Sequence, residues 1–398
     1  GVKTYRTIKA RELWNLINIC ATYSAEPGVF FIDNANDMTN AKAYGQKVVS
    51  TNPCGEQPLA PYSVCNLAAI NLANMADKEN KTVDFVKLRN TVRVGVRMMD
   101  NVIDATPYFL EANREQALGE RRLGMGVMGL HDLLIYCEKT YGSEDGNRLV
   151  DEVFEVIATE AYRASIELAK EKGSFPFMEY GIGNFRNEFT ETGFVKTLPE
   201  DIREGIRKYG IRNSHILTVA PTGSTGTLMN VSTGLEPYFA FKYFRSGRLG
   251  KFIEVNARIV DELGVDPNNL PEYFVSSMEL TPEQHVDVQT IIQRWVDSSI
   301  SKTVNAPKGY TVEQVKAVYE RLYKGGAKGG TVYVDGSRDS QVLSLGNDDK
   351  EPEDKVEETS EVGTDLGDTC PICRDGKVIE QGGCHTCDTC GTQLKCGI

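Results

Sequence analysis

Asn52, Cys54 and Glu56 stand two residues apart in Thr51-Asn52-Pro53-Cys54-Gly55-Glu56-Gln57-Pro58. Two prolines and a glycine exclude a helix or a regular strand, so the stretch is a loop following the strand-like Val48-Val49. A thiol held on a stiff loop between an amide and a carboxylate can act on one small substrate, because rigidity sets near-attack geometry. The spacing alone leaves a second reading open, a surface turn with an incidental cysteine. A second site of possible chemistry is Pro221-Thr222-Gly223-Ser224-Thr225, after the apolar run Ile216–Val219. Glycine permits close backbone approach there, and hydroxyls with amide N–H groups can hold phosphate at a helix start. Such runs are also ordinary turns.

Six of the ten cysteines fall in the last 29 residues: Cys370, Cys373, Cys384, Cys387, Cys390 and Cys396. Paired C-x-x-C units point to tetrahedral zinc, and a segment this small needs a metal to fold. The knuckle shape, C-x-x-C followed by glycine, favours Cys370, Cys373, Cys387 and Cys390 as ligands. Cys384 and Cys396 are then free for thiol–disulfide exchange. A competing set uses Cys384 with Cys387 for zinc and leaves Cys390 and Cys396. A zinc ribbon that binds nucleic acid is a further reading, and the charge of the chain argues against it. Cys20 and Cys137 sit in helical apolar contexts as small core residues. His131, His215 and His285 stand alone and read as structural or surface histidines.

The run Gly124-Met-Gly126-Val-Met-Gly129 fits G-x-G-x-x-G, with Glu144 about 20 residues on. The preceding Ala117–Arg122 stretch is not a strand, so the dinucleotide-binding context fails. Close helix packing is the expectation instead.

The elements that must position these residues alternate. Phe85 to Asp104 spaces Val86, Val92, Val96, Met99 and Ile103 as a helix, and Gly146 to Lys172 does the same and stops at Gly173. Thr281-Pro282-Glu283 opens another helix. Val29–Ile32, Ile216–Val219, Tyr238–Phe244 and Thr331–Val334 read as short strands, and strands separated by helices predict a mixed α/β body.

The 398 residues carry 44 Lys plus Arg against 56 Asp plus Glu, a formal charge of −12. This argues against broad nucleic-acid or anionic-membrane binding. No apolar run nears the ~18 residues of a membrane helix. The cysteine pattern suits a reducing compartment, the cytoplasm. Ten acids and two lysines lie between Asn347 and Asp368, so this segment holds −8 of the charge. It is expected as a disordered acidic linker, 347–368, between a body, 1–346, and a Cys-rich tail, 369–398.

Thr51-Asn-Pro-Cys-Gly-Glu-Gln-Pro-Leu59 followed by Ser63-Val-Cys-Asn-Leu-Ala-Ala-Ile-Asn-Leu72 resembles the finger loop of ribonucleotide reductases, most closely the adenosylcobalamin-dependent class II enzymes. Arg11-Glu-Leu-Trp14, Pro27–Asp33, Arg121–Gly129, Ala220–Thr225 with Gly234-Leu-Glu-Pro237, Trp295–Asn305 and Asp335–Asp339 also resemble family segments. The resemblance implies part of the family's ten-stranded α/β barrel, followed by the acidic linker and a zinc ribbon. It implies a thiyl radical at Cys54 that takes hydrogen from C3′ of the ribose. Glu56 would be the base on the 3′-hydroxyl, and Asn52 would hydrogen-bond the sugar. Cys65 would be one member of the pair that reduces the 2′ position, its partner lying in a segment this chain lacks. Thr51 and the 221–225 loop would bind the substrate diphosphate. The tail would shuttle electrons from thioredoxin or a glutaredoxin-like protein.

A single tyrosine, Tyr333, stands where radical-relay members carry an adjacent pair, which favours adenosylcobalamin as the radical source. The resemblance further implies a ribonucleotide substrate, a homodimer, and an N-terminal portion supplied by a longer chain or a separate gene. Two alternatives stand beside it. One is a class I-type large subunit needing a separate radical-generating subunit, the other a non-catalytic zinc-binding fragment.

Overall fold

The computed structural model describes residues 3–179, 185–246, 252–337, 343–344 and 362–396. The body is mixed α/β, as expected. Its longest helix is Glu144–Lys172, capped by Ser143, whose Oγ accepts from Gly146 N–H. Acids in its first turn and lysines in its last suit the helix dipole. It packs along Phe85–Ala105, which buries Leu88, Val92, Val96, Met99 and Ile103. Val86, which the spacing assigned to that face, is instead 72% exposed, and Leu88 takes its place. Thr281 caps Pro282–Gln293 in a full capping box with Gln284.

Parallel strand pairing runs through the body. Leu67–Asn71 pairs in register with Gly124–Met128, from Leu67↔Gly124 to Asn71↔Met128. Single parallel bridges continue the run, Met125 to Leu217 and Val219 to Ile300, so the strand expected at Ile216–Val219 is reduced to two isolated bridges. Thr303–Ala306 then pairs in parallel with Thr331–Val334, and Val29–Phe30 closes that edge antiparallel. Helices cross between these segments because parallel neighbours cannot be joined by a tight turn. Ile32 begins a helix rather than ending a strand, and the strand expected from Tyr238 starts at Lys242. Among the described residues no helix is long and apolar enough to cross a membrane.

The G-x-G-x-x-G run corrects an expectation. Gly124–Met128 is itself a fully buried strand, so its glycines serve strand packing and not helix packing. A Cβ on Gly126 would lie 2.3 Å from the Thr218 carbonyl oxygen. One on Gly124 would lie 2.3 Å from Gln57 Nε2 and 2.8 Å from the Asn66 carbonyl. The neighbouring bridged stretch and the Cys54 loop are both closer than any side chain allows.

The tail is an antiparallel sheet of Val378–Gln381, Cys384–Cys387 and Gln393–Cys396. Residues 345–361, most of the expected linker, lie outside the described residues. Residues 362–368, placed in the linker by their charge, are bonded into the ribbon instead. Val362 bridges Thr369, Gly367 N–H donates to the Val378 carbonyl, and His385 Nδ1 lies 2.8 Å from the Thr364 carbonyl. Cross-strand bonding outweighs local charge once neighbouring strands are present. The Thr364 hydroxyl also donates to the Tyr23 carbonyl of the first body helix, at 3.4 Å.

Gly126→Ala should destabilise the body by about 3 kcal/mol, because a backbone carbonyl cannot yield as a side-chain tip can. Denaturant unfolding measures this, and a loss under about 1 kcal/mol would refute the close-approach account.

Candidate active site and cysteine tail

The Cys54 loop is the turn of a very short hairpin. Ser50–Thr51 pairs antiparallel with Pro58–Leu59, so Thr51 and Pro58 lie in strand and only 52–57 form the loop. The Asn52 side chain closes it from within: its Oδ1 accepts from Gln57 N–H at 3.0 Å, while its carbonyl accepts from Gly55 N–H at 3.0 Å. Gly55 has φ +82°, which a side chain would strain. Cys54 is exposed at the tip.

The carboxylate beyond it is buried. Glu56 is 2% exposed, and its Oε2 has no partner. Its backbone carbonyl accepts from Thr218 Oγ1 at 2.6 Å and from Ser299 N–H at 2.9 Å. Those two bonds tie the loop to the parallel-bridged stretches. Gln57 is wholly buried with both amide atoms unpaired.

Eleven residues from Cys54 in sequence, Cys65 is likewise an exposed residue, and the Glu56 charge acts on both thiols. Burial raises the Cys54 thiol, and the Glu56 charge adds to this. Burial around its sulfur pushes the Cys65 thiol up to about 11, with Glu56 adding and Arg122 opposing. Both thiols are therefore held protonated at neutral pH, as hydrogen donors rather than thiolate nucleophiles.

The 221–225 segment follows the bridged stretch Leu217–Val219, which carries Thr218. Thr222 adopts a left-handed conformation, φ +48°, at the start of the helix Gly223–Leu228. Its Oγ1 accepts from Gly234 N–H at 2.7 Å, and its carbonyl accepts from Gly226 N–H at 2.7 Å. Pro221 and Thr222 are half-buried, whereas Gly223, Ser224 and Thr225 are exposed. One bridged stretch thus bonds the Cys54 loop at Thr218 and leads into a turn of exposed hydroxyls.

In the tail, the sulfurs of Cys370, Cys373, Cys387 and Cys390 all lie within 4.8 Å of one another. Cys370 and Cys390 are 3.8 Å apart, Cys373 and Cys387 3.6 Å. A tetrahedron of zinc–sulfur bonds near 2.3 Å has edges of about 3.8 Å, so the group can hold zinc. Backbone N–H groups of Ile372, Gly376 and Cys390 point at three of these sulfurs, each at 3.4 Å, as donors to thiolate. This is the set chosen from the knuckle shape. Cys384 belongs to no such group and is disulfide-bonded; the residue facing it across the strand pair is Cys396.

The family model for the ribonucleotide reductase barrel domain matches residues 2–333. The chain belongs to the ribonucleotide reductase family. It is 35% identical to a vitamin B12-dependent ribonucleoside-diphosphate reductase of Thermoplasma acidophilum, over 94% of this chain and 50% of that protein. With the enzyme of the same name from Mycobacterium tuberculosis H37Rv it shares 34% identity, over 86% of this chain and 48% of that one. A ribonucleoside-diphosphate reductase large chain of Cryptosporidium parvum is 32% identical over 68% of this chain and 35% of its own length. The chain spans about half the length of the B12-dependent relatives it matches.

Four residues of this reductase chain's site escaped the sequence reading: Gln57, Arg122, Thr218 and Ser299. Arg122 is buried, paired with Glu120 at 3.4 Å, and its Nη1 donates to the Pro58 carbonyl and to Ser298 Oγ, both at 3.5 Å. The signal for it was a charged Arg121-Arg122 pair running straight into an apolar strand. Thr218 and Ser299 gave none, being single hydroxyls in apolar or mixed runs. All three lone histidines are buried and bonded, as structural residues should be. His131 Nδ1 accepts from Tyr238 N–H, His215 lies against Thr39 and Ser214, and His285 Nε2 lies 3.0 Å from the Ser277 carbonyl. Burial drives His131 and His285 down to about 3, keeping them neutral. Cys137 is buried, while Cys20 is only half-buried.

Two outcomes are expected. Alkylation at Cys65, followed by peptide mass spectrometry, should climb about tenfold per pH unit through pH 9.5, and Glu56→Gln should increase it at fixed pH. A plateau near pH 8.5 would contradict the raised thiol. The purified chain should carry about one zinc, and Cys373→Ser should lose it and open the ribbon to proteolysis. An unchanged zinc content in that variant would exclude the four-sulfur site.

Proposed function

We propose that this chain carries the radical-thiol half of a class II ribonucleotide reductase that converts ribonucleoside diphosphates to 2′-deoxyribonucleotides. The observation that carries this is the hairpin, which sets Cys54 at an exposed tip with Glu56 buried two residues on. Adenosylcobalamin, when bound, supplies the one-electron chemistry that turns the Cys54 thiol into a thiyl radical. Cys54 lies open to such a group, and the two tyrosine-containing relay positions of other classes reduce here to Tyr333 alone. Cys54 then takes hydrogen from C3′, Glu56 takes up the 3′-hydroxyl proton, and Asn52, whose Oδ1 is committed to the loop, offers its Nδ2 to the sugar. The 2′-hydroxyl leaves as water, Cys54 returns its hydrogen to C3′ and recovers its radical, and Cys65 with a partner thiol outside this chain supplies the two electrons and two protons and closes to a disulfide. That disulfide is re-reduced through Cys384 and Cys396, which draw on thioredoxin or a glutaredoxin-like protein. The four-sulfur group holds zinc that folds the ribbon.

The reading includes a second half of the enzyme, forming one ten-stranded barrel with this one. Among the described residues, Leu67–Asn71 is paired along one edge only. Beside it Val94, at 68% exposure, and Met98 line an apolar groove of about 760 Å³ with Ala68 and Ile70. An open strand edge next to an apolar groove is a surface that further chain covers.

A second reading, a large subunit served by a separate radical-generating protein, is favoured by the Cryptosporidium parvum likeness. One assay separates the two. With the second half of the enzyme supplied, turnover should require adenosylcobalamin, and Cys54→Ser should lower it at least about a thousandfold even with dithiothreitol. Turnover by that variant would refute the thiyl assignment. Indifference to adenosylcobalamin, with rescue by a radical-generating subunit, would favour the second reading.

A further inference from the structure

Behind the 221–225 loop lies a charged cluster that none of the chemistry above uses. The Lys302 side chain is fully buried, yet all three of its N–H donors are used. Nζ lies 3.0 Å from Glu236 Oε2, 3.1 Å from His285 Nδ1 and 3.0 Å from the Thr303 carbonyl. His285 accepts at Nδ1 and turns its Nε2–H to the Ser277 carbonyl, so the imidazole is neutral and adds no charge. The second oxygen of Glu236 accepts from Thr303 N–H at 2.7 Å. Glu236 is therefore gripped at both oxygens by consecutive residues, Lys302 and Thr303. The fully buried Tyr141 donates its hydroxyl to the Leu235 carbonyl at 2.6 Å, holding the adjacent residue of the same turn.

That turn reaches the loop at one point. Gly234, at φ +51°, brings its N–H to Thr222 Oγ1, and a Cβ there would lie 2.9 Å from the Ala220 carbonyl oxygen. Thr222 is β-branched and left-handed, a conformation that persists only where its surroundings impose it. Because Oγ1 accepts from Gly234, its own hydrogen remains to be donated to a ligand beside the exposed Gly223, Ser224 and Thr225. An ammonium buried this deeply is costly unless its position is used.

We propose that Lys302 is a positioning residue for phosphate binding: through Glu236 it fixes the 233–237 turn that holds Thr222 in its donating conformation. The inference rests on the reading of 221–225 as the phosphate loop. It names a residue remote from any phosphate, reached through two links, Lys302 to Glu236 and Gly234 to Thr222.

The test compares cytidine diphosphate with cytidine on the full chain by calorimetry, for the wild type, Lys302→Met, Glu236→Gln, Thr222→Val and the Lys302→Met/Thr222→Val double variant. Each single variant should weaken cytidine diphosphate binding about tenfold and leave cytidine binding unchanged. The double variant should lose no more than Thr222→Val alone, because both act through one hydroxyl. Glu236→Gln breaks the same link from a partly exposed side chain and serves if Lys302→Met does not unfold cooperatively. A diphosphate preference that survives Lys302→Met and Glu236→Gln would overturn the positioning role and leave the phosphate loop standing. Equal losses for both ligands, or additive losses in the double variant, would also overturn the role. A wild type that prefers neither ligand would overturn the phosphate loop, and the positioning role with it.

Discussion

The structure depends on how the Glu56 carbonyl is held. A hairpin with two paired residues on each side cannot fix its own tip, and a lone two-stranded ribbon is marginal even when longer. The Thr218 hydroxyl and the Ser299 N–H supply what the ladder cannot. Both come from the parallel-bridged stretches, so the thiol at the tip inherits the rigidity of the core. The glycines of Gly124–Met128 let that happen. They bring the Thr218 stretch and the Gln57 side chain to distances no Cβ would tolerate.

The same residues are braced from behind by buried charges that complete one another. Asp297 accepts from Ile216 N–H, Leu217 N–H and the Tyr162 hydroxyl, and burial raises its carboxyl even so. Lys328 donates to the Asp297 and Ser298 carbonyls, one residue before Ser299. Burial pulls its ammonium down to about 7, against the attraction of Asp297. Arg121 is held by Asp100 and Asp104, and Arg122 by Glu120. Such pairs add little net stability but punish any shift that separates them. They hold the 297–299 turn against the bridged 216–219 stretch, and so hold Glu56.

The tail follows a different logic. It has little apolar core, Cys370, Val378, Cys387 and Leu394, and its order comes from a small sheet around four sulfurs. Cys384, outside the four-sulfur group, sits on the central strand of that sheet, opposite Cys396. A metal that fixes the sheet also fixes the separation of that pair.

Much of this was legible in the residues themselves. Local rules suffice for the prolines and glycine that make 52–57 a loop, the Thr281 capping box, the periodicity of Glu144–Lys172, and the paired C-x-x-C units that chose the four sulfurs. Each is decided within a few residues of chain. Val86 failed because periodicity gives a face and not its edges. Gly124–Met128 was misassigned because a strand buried on both faces has no alternation to read, and its glycines answer to Thr218 and Gln57, distant in sequence. Residues 362–368 looked like linker because their charge is local and their partners are not. Sequence alone determined the family and singled out Cys54, Glu56, Cys65 and the four tail sulfurs as candidates. Only the tertiary structure decided that Glu56 is buried while Cys54 is exposed, that the Glu56 charge acts on both thiols, and that Thr218, Ser299, Arg122 and Lys302 hold them. Burial and long-range hydrogen bonds are properties of the neighbours a residue acquires, and those neighbours exist only once the strands have packed.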